Sequence, residues 1–118
     1  MRETLIDPNT LPAIDLAQST KLIGSREAAT EMLELLKEKL PLDFEGISTA
    51  YAANNQADIA HLAHRLVGGT AYCGVPALRS AARALEYAAE DKLQSHIDTC
   101  YKTLQQEVAR FYAAFDTL

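Results

Sequence analysis

"QADIAHLAHRLVGGTAYCGVPALRSAARALEYAAE", Gln56 to Glu90, is the stretch whose reading decides the fold. Two runs with apolar residues at three- and four-residue steps flank a few turn residues. On a helical wheel turned by about 100° per residue, Ile59, Leu62, Leu66, Thr70 and Cys73 share one arc of the first run. In the second run Leu78, Ala81, Ala82, Leu85 and Ala89 point inward together. The spacing predicts a rod from Gln56 to Cys73 that ends at Gly74. A second rod begins near Pro76, since proline suits the first turn of a helix. So short a connection makes the two rods antiparallel neighbours.

Working outward, Ala29, Met32, Leu33, Leu36 and Leu40 predict an amphipathic helix over Arg26–Leu40. Ser25 serves as its N-cap, and Glu27 suits the positive end of the helix dipole. Pro41 is expected to break or kink this rod, because proline lacks the backbone donor and clashes with the preceding turn. Helical patterning resumes through Phe44, Ile47 and Tyr51 and stops at Asn54-Asn55. Ile97, Cys100, Tyr101, Leu104, Val108, Phe111 and Phe115 mark a last long rod from about Lys92 to Phe115. A short helix over Asp15–Ile23, closed by Gly24, precedes them all. Nothing alternates as a half-buried strand does. The expected fold is all-α: an antiparallel up-down four-helix bundle with a short extra N-terminal helix. It occupies residues 13–118, behind a linker-like segment, 1–12, that contains Pro8 and Pro12.

Composition narrows the function. With a net charge of −5 and no cluster of Lys and Arg, nucleic acid is not an expected partner. Cys73 and Cys100 show no metal-type spacing and read as small buried hydrophobes of a reducing compartment. The first residues lack the basic and apolar regions of a signal peptide, and no run of apolar residues is long enough to span a bilayer. A cytoplasmic location and a monomer are the expectations. The linker-like start fits a piece of a longer chain, although a free-standing protein would look much the same.

The chemistry gathers on the first of the two central rods. His61, His64, Arg65, Gly68 and Tyr72 lie opposite its buried stripe. His64 and Gly68 stack one turn apart on the same face. A glycine inside a helix costs about 1 kcal/mol relative to alanine. Two adjacent glycines, Gly68 and Gly69, are therefore unexpected within a rod that runs to Cys73. At Gly68 the bare backbone keeps the space beside the imidazole clear for a bulky group. Gly69, at the edge of the stripe, would let a neighbouring helix pack closely. An exposed imidazole, with an ordinary pKa of about 6.5, offers a nucleophilic nitrogen near neutral pH without a dedicated base. Ala60, Val67 and Ala71 form an expected apolar patch around it. Other readings are plainer. Arg79, Arg83, Glu86 and Glu90 read as a solvated, charge-paired face. His61 reads as a surface neighbour, His96 as merely exposed. No Glu-x-x-His pairs of a bundle metal site occur, and the glycine pair lacks the strand and the lysine-serine ending of a P-loop.

The stretch His64-Arg65-Leu66-Val67-Gly68-Gly69, with Gly74 beyond it, resembles the histidine-containing phosphotransfer (HPt) domains of bacterial phosphorelays. Ala63, Leu85-Glu86 and the upstream segment from Ile14 fit the same pattern, so the resemblance runs from about Ile14 to Phe115. It is similar in particular to the C-terminal phosphotransfer modules of hybrid sensor kinases of the BarA/GacS kind. The resemblance implies a phosphocarrier, without autokinase activity or a nucleotide site, in which His64 takes a phosphoryl group from a receiver-domain aspartate and passes it to another receiver. It implies no cofactor on this domain, the magnesium ion belonging to the receiver. His61, Arg65, Val67, Gly68, Ala71, Tyr72 and Arg83 would surround the phosphoryl group or the partner. Many members carry lysine where Val67 stands, which leaves Arg65, or Arg83 from the next rod, as the substitute cation. The competing reading is a helical interaction module whose histidine is incidental.

Overall fold

A computed structural model describes residues 2–118. Among them lie five α-helices and no strand: α1 Leu16–Ile23, α2 Arg26–Ala52, α3 Gln56–Gly69, α4 Pro76–Glu90 and α5 Gln94–Phe115. The last four form the antiparallel bundle, with α4 packed between α3 and α5, and α2 closing the ring against both. The short α1 leans on α2. Each stripe expected to face inward supplies the core. Leu33, Leu40 and Ile47 of α2 meet Ile59 and Leu66 of α3, Leu78 and Leu85 of α4, and Ile97, Leu104 and Phe111 of α5, all fully buried. At roughly 1.5–3 kcal/mol for each large apolar side chain, this burial is the main force holding the helices together.

Helix ends follow local chemistry. The side chains of Asp15, Ser25 and Asn55 each accept a hydrogen bond from the backbone N–H three residues on, capping α1, α2 and α3. Gly24 closes α1 at a φ of 107°, a region that favours glycine. Across the bundle Tyr51 stacks on Tyr101, centroids 4.0 Å apart, and donates a hydrogen bond of 2.7 Å to Asp98. That bond lowers the Asp98 carboxyl below its usual range, with Gln94 contributing.

Two expectations about the rods are narrowed or corrected. Of the break or kink expected at Pro41, the break does not occur: α2 runs on through it. Pro41 lies on the exposed face of the helix, while Leu36, Leu40 and Ile47 stay buried on the other side. The rod expected to reach Cys73 stops at Gly69, and residues 70–74 form turns. The glycine pair therefore occupies a last helical turn rather than an interior, where its propensity cost is smaller.

Gly74 holds the corner between α3 and α4. Its φ is +69°, and a Cβ there would sit 2.7 Å from the Asp15 carbonyl oxygen. Asp15 in turn donates its N–H to the Gly74 carbonyl at 2.8 Å, and the buried Ser19 hydroxyl donates to the carbonyl of Cys73. The corner is thus tied to α1. The segment read as linker-like also lies against the bundle. Residues 8–10 form one 3-10 turn. Ile6 accepts from the Ser80 hydroxyl, and Pro8 and Leu11 accept from the Arg110 guanidinium.

Candidate functional site

The face opposite the buried stripe of α3 is open as its wheel position requires: His61, His64, Arg65, Gly68 and Tyr72 are all exposed. His64 keeps 66% of its side-chain surface in solvent, and Tyr72 is 63% exposed. A Cβ built at Gly68 would meet nothing within 4 Å. Nothing inside the fold therefore requires glycine there, and the clearance lies on the solvent side, above the turn that carries the imidazole.

The ring itself is anchored from α4. His64 Nδ1 lies 2.7 Å from a Glu86 carboxylate oxygen, and the other Glu86 oxygen accepts from Arg83 Nη1, also at 2.7 Å. Glu86 is nearly buried, its side chain 8% exposed. A buried carboxylate is costly unless paired, and here both oxygens have a partner. Because the carboxylate accepts, Nδ1 carries the proton, which leaves the lone pair on Nε2. No hydrogen bond among the described residues engages Nε2. Burial opposes the charge of Arg83, but its bond to Glu86 and the charges of Glu86 and Glu3 outweigh it and hold the guanidinium above its ordinary value. Chemically, the arrangement is a nucleophilic nitrogen held out into solvent with its other nitrogen fixed by a carboxylate.

The remaining expected site residues distribute as follows. Ala71 is exposed beyond the end of α3, near Gly68, whose carbonyl accepts the Ala71 N–H. Val67 is only 4% exposed and belongs to the core, which corrects its expected part in an apolar contact patch. Gly69 is exposed, and a Cβ there would touch nothing, so it does not serve close helix packing. Arg65 lines a cleft toward α2 with Lys39, Asp43 and Gly46, away from Glu86. Arg83 does approach the site from α4, as its register requires, but as a partner of Glu86. The reading of Arg83 and Glu86 as a solvated charged face is thereby corrected. Glu86 is the contact of His64 that charge patterning missed, since i,i+3 pairing with Arg83 fits a surface helix equally well. The hairpin register held the missing signal: the alignment that sets Arg83 level with Arg65 brings Glu86 within a turn of His64. Among the described residues no cluster of three or more His, Cys, Asp or Glu could hold a metal ion. No helix among them is long and apolar enough to cross a membrane.

The all-helical bundle is that of a phosphotransfer module, and the chain belongs to the Hpt domain family, whose sequence model matches residues 31–114. Hpt domains are phosphotransfer carriers rather than autokinases; they interact with receiver domains and occur in hybrid kinases. Among named proteins, the chain is similar to the Sensor histidine kinase GacS of Pseudomonas protegens, 36% identical over 109 residues that cover 92% of this chain and 10% of that protein. It is also similar to the Sensor protein GacS of Pseudomonas syringae pv. syringae, 33% identical over 90 residues, covering 76% of this chain and 10% of that protein. The chain thus spans about a tenth of the length of these relatives.

Proposed function

We propose that His64 is the phosphoacceptor, taking a phosphoryl group from the aspartyl phosphate of one receiver domain and passing it to the aspartate of another. The lone pair of Nε2 attacks phosphorus, the acyl P–O bond breaks, and the receiver's aspartate leaves as a carboxylate. The ring keeps its proton on Nδ1 and gains positive charge, which the Glu86 carboxylate stabilises. The return step reverses these bonds: a second receiver carboxylate attacks, the N–P bond breaks, and the electron pair goes back to Nε2. The magnesium ion belongs to the receiver, and this domain brings neither a cofactor nor a nucleotide site. The receiver docks over the exposed face of α3, with Gly68 leaving room for the phosphoryl group and His61, Ala71 and Tyr72 at the rim. Arg83 serves through Glu86, and Val67 through packing. The domain is a cytoplasmic monomer without affinity for nucleic acid, and it works as part of a hybrid sensor kinase.

The observation that carries this reading is the 2.7 Å contact between Nδ1 and Glu86 on a ring that otherwise stands in solvent. The test is transfer from a phosphorylated receiver domain to the wild-type chain and to His64→Gln. An acid-labile label on the wild type and none on His64→Gln is expected. Label retained by His64→Gln would move the site, and a wild type that takes none from any of a panel of receivers would overturn the carrier reading.

A further inference from the structure

Residues 2–12 lie along α4 as a strap, held at several points. Arg2 pairs with Asp91 at 2.8 Å and sits 4.5 Å from the Tyr87 ring centroid. The Ser80 hydroxyl donates to Ile6, and the Ala77 N–H donates to the carbonyl of Pro12. At the end of the strap, the Glu3 carboxylate accepts from Arg83 Nε at 3.0 Å, and Arg79 stands 3.8 Å away. Arg83 therefore spends Nε on the strap and Nη1 on Glu86. A guanidinium is a rigid planar fork, so fixing one donor on Glu3 restricts where the other can meet Glu86. Glu86 in turn has one oxygen left for His64.

We propose that the strap is linked to the imidazole through this chain: Glu3 holds Arg83, Arg83 holds Glu86, and Glu86 holds Nδ1 of His64, which makes Glu3 and Arg83 positioning residues for the phosphoacceptor. Its consequence for transfer rests on the phosphoacceptor reading of His64, but the linkage itself is read on the unphosphorylated ring. A strap that moves, whether drawn away by a partner or by chain attached to it, changes how much of the Arg83 charge is directed at Glu86 and so alters the proton affinity of the ring.

The charges around the ring set the sign. Glu86, Arg83 and Arg79 approach on α4, Glu3 on the strap, and His61 and Arg65 lie on α3 itself. Lys39 and Asp43 of α2 line the cleft beyond Arg65. Arg2 is engaged with Asp91, Glu90 and Tyr87 instead. Removing the negative charge of Glu3 leaves Arg83 less neutralised, which disfavours the imidazolium. The His64 titration midpoint is therefore lower in Glu3→Gln.

The experiment is an NMR titration of the three histidine rings at low salt, where exposed charges are least screened. The full chain is compared as wild type, Glu3→Gln, Arg83→Gln and the double variant. The expected result is a fall of the His64 midpoint on Glu3→Gln, no such fall when Arg83 is already Gln, and unmoved midpoints for His61 and His96. Where Arg83→Gln compromises folding, Arg83→Lys is the alternative background, because one ammonium cannot bridge two carboxylates in the same fixed geometry; the Glu3 effect shrinks there too. An unchanged His64 midpoint in Glu3→Gln overturns the proposal. So does a fall that persists in full without Arg83, since it would then bypass the chain. These results are separate from the transfer assay: a wild type that accepts no phosphoryl group removes the carrier function and leaves the titration result standing.

Discussion

Gly68 and His64 share an exposed face one turn apart, and the two residues pull stability and function in opposite directions. A Cβ at Gly68 meets no atom of the fold, so Gly68→Ala gains helix propensity, up to about 1 kcal/mol. The same methyl group intrudes where a receiver must bring its phosphoryl group. Thermal unfolding and a transfer assay on one sample therefore give a chain with a raised Tm and slower transfer. Glu86→Gln should act differently. It removes the charge that holds Nδ1 and offsets the developing ring charge, so transfer slows by ~10–100-fold, the kinetic equivalent of one charged hydrogen bond. A rapid-quench comparison with the wild type checks this; equal rates would show that Glu86 serves packing alone. Sequence reasoning reached His64 and Gly68 because an i,i+4 pair on one face is visible in the spacing. It placed Glu86 in the family pattern but gave it no part beside His64, because whether an acidic side chain is solvated or buried depends on the neighbouring helix.

At the level of elements, the hairpin of α3 and α4 was legible except at its corner: Pro76 opens α4 as expected, but α3 ends at Gly69 with residues 70–74 in turns, and Ala63 and Val67 are buried where the expected stripe had Leu62. The continuity of α2 was not legible. Proline penalties are local, whereas the buried Leu36, Leu40 and Ile47 that hold α2 in one piece act through tertiary packing. The tie between Gly74 and α1 was also hidden, since it joins residues distant in sequence. It yields a prediction about the corner. Gly74→Ala forces alanine into the left-handed region, which costs ~1–2 kcal/mol by itself, and drives its Cβ against the Asp15 carbonyl and Ser19. Its Tm falls, in contrast to the rise expected for Gly68→Ala. Two glycine substitutions six residues apart thus have opposite signs, set by φ and by the space each finds.

Over the whole molecule, the strap crosses from α4 to α5. Besides Glu3, it is held by Arg110, which donates to Pro8 and Leu11 and lies 3.2 Å from Glu107. Glu107 is only 2% exposed, and the same Oε1 that faces Arg110 Nε makes no hydrogen bond. Burial pushes its carboxyl up, Arg110 pulls it down, Asp7 adds to the rise, and the result is a value above the ordinary carboxylate range. An acid raised in the folded state binds more protons there than in the unfolded chain, so its contribution to stability is lost as pH rises from its unfolded value through the folded one. Denaturant titrations across that window should show Glu107→Gln gaining on the wild type as pH increases, and a constant difference would contradict the assignment. The sequence placed residues 1–12 as linker-like because Pro8 and Pro12 exclude a regular helix. It held no signal that their carbonyls and Glu3 would find donors on α4 and α5.

The most direct test of the central claim is to phosphorylate the chain from a receiver domain and locate the phosphorus by NMR of the histidine rings. The account predicts a phosphoryl group on Nε2 of His64, with Nδ1 still protonated and bonded to Glu86. Phosphorus on Nδ1 of His64, or on His61, would contradict it.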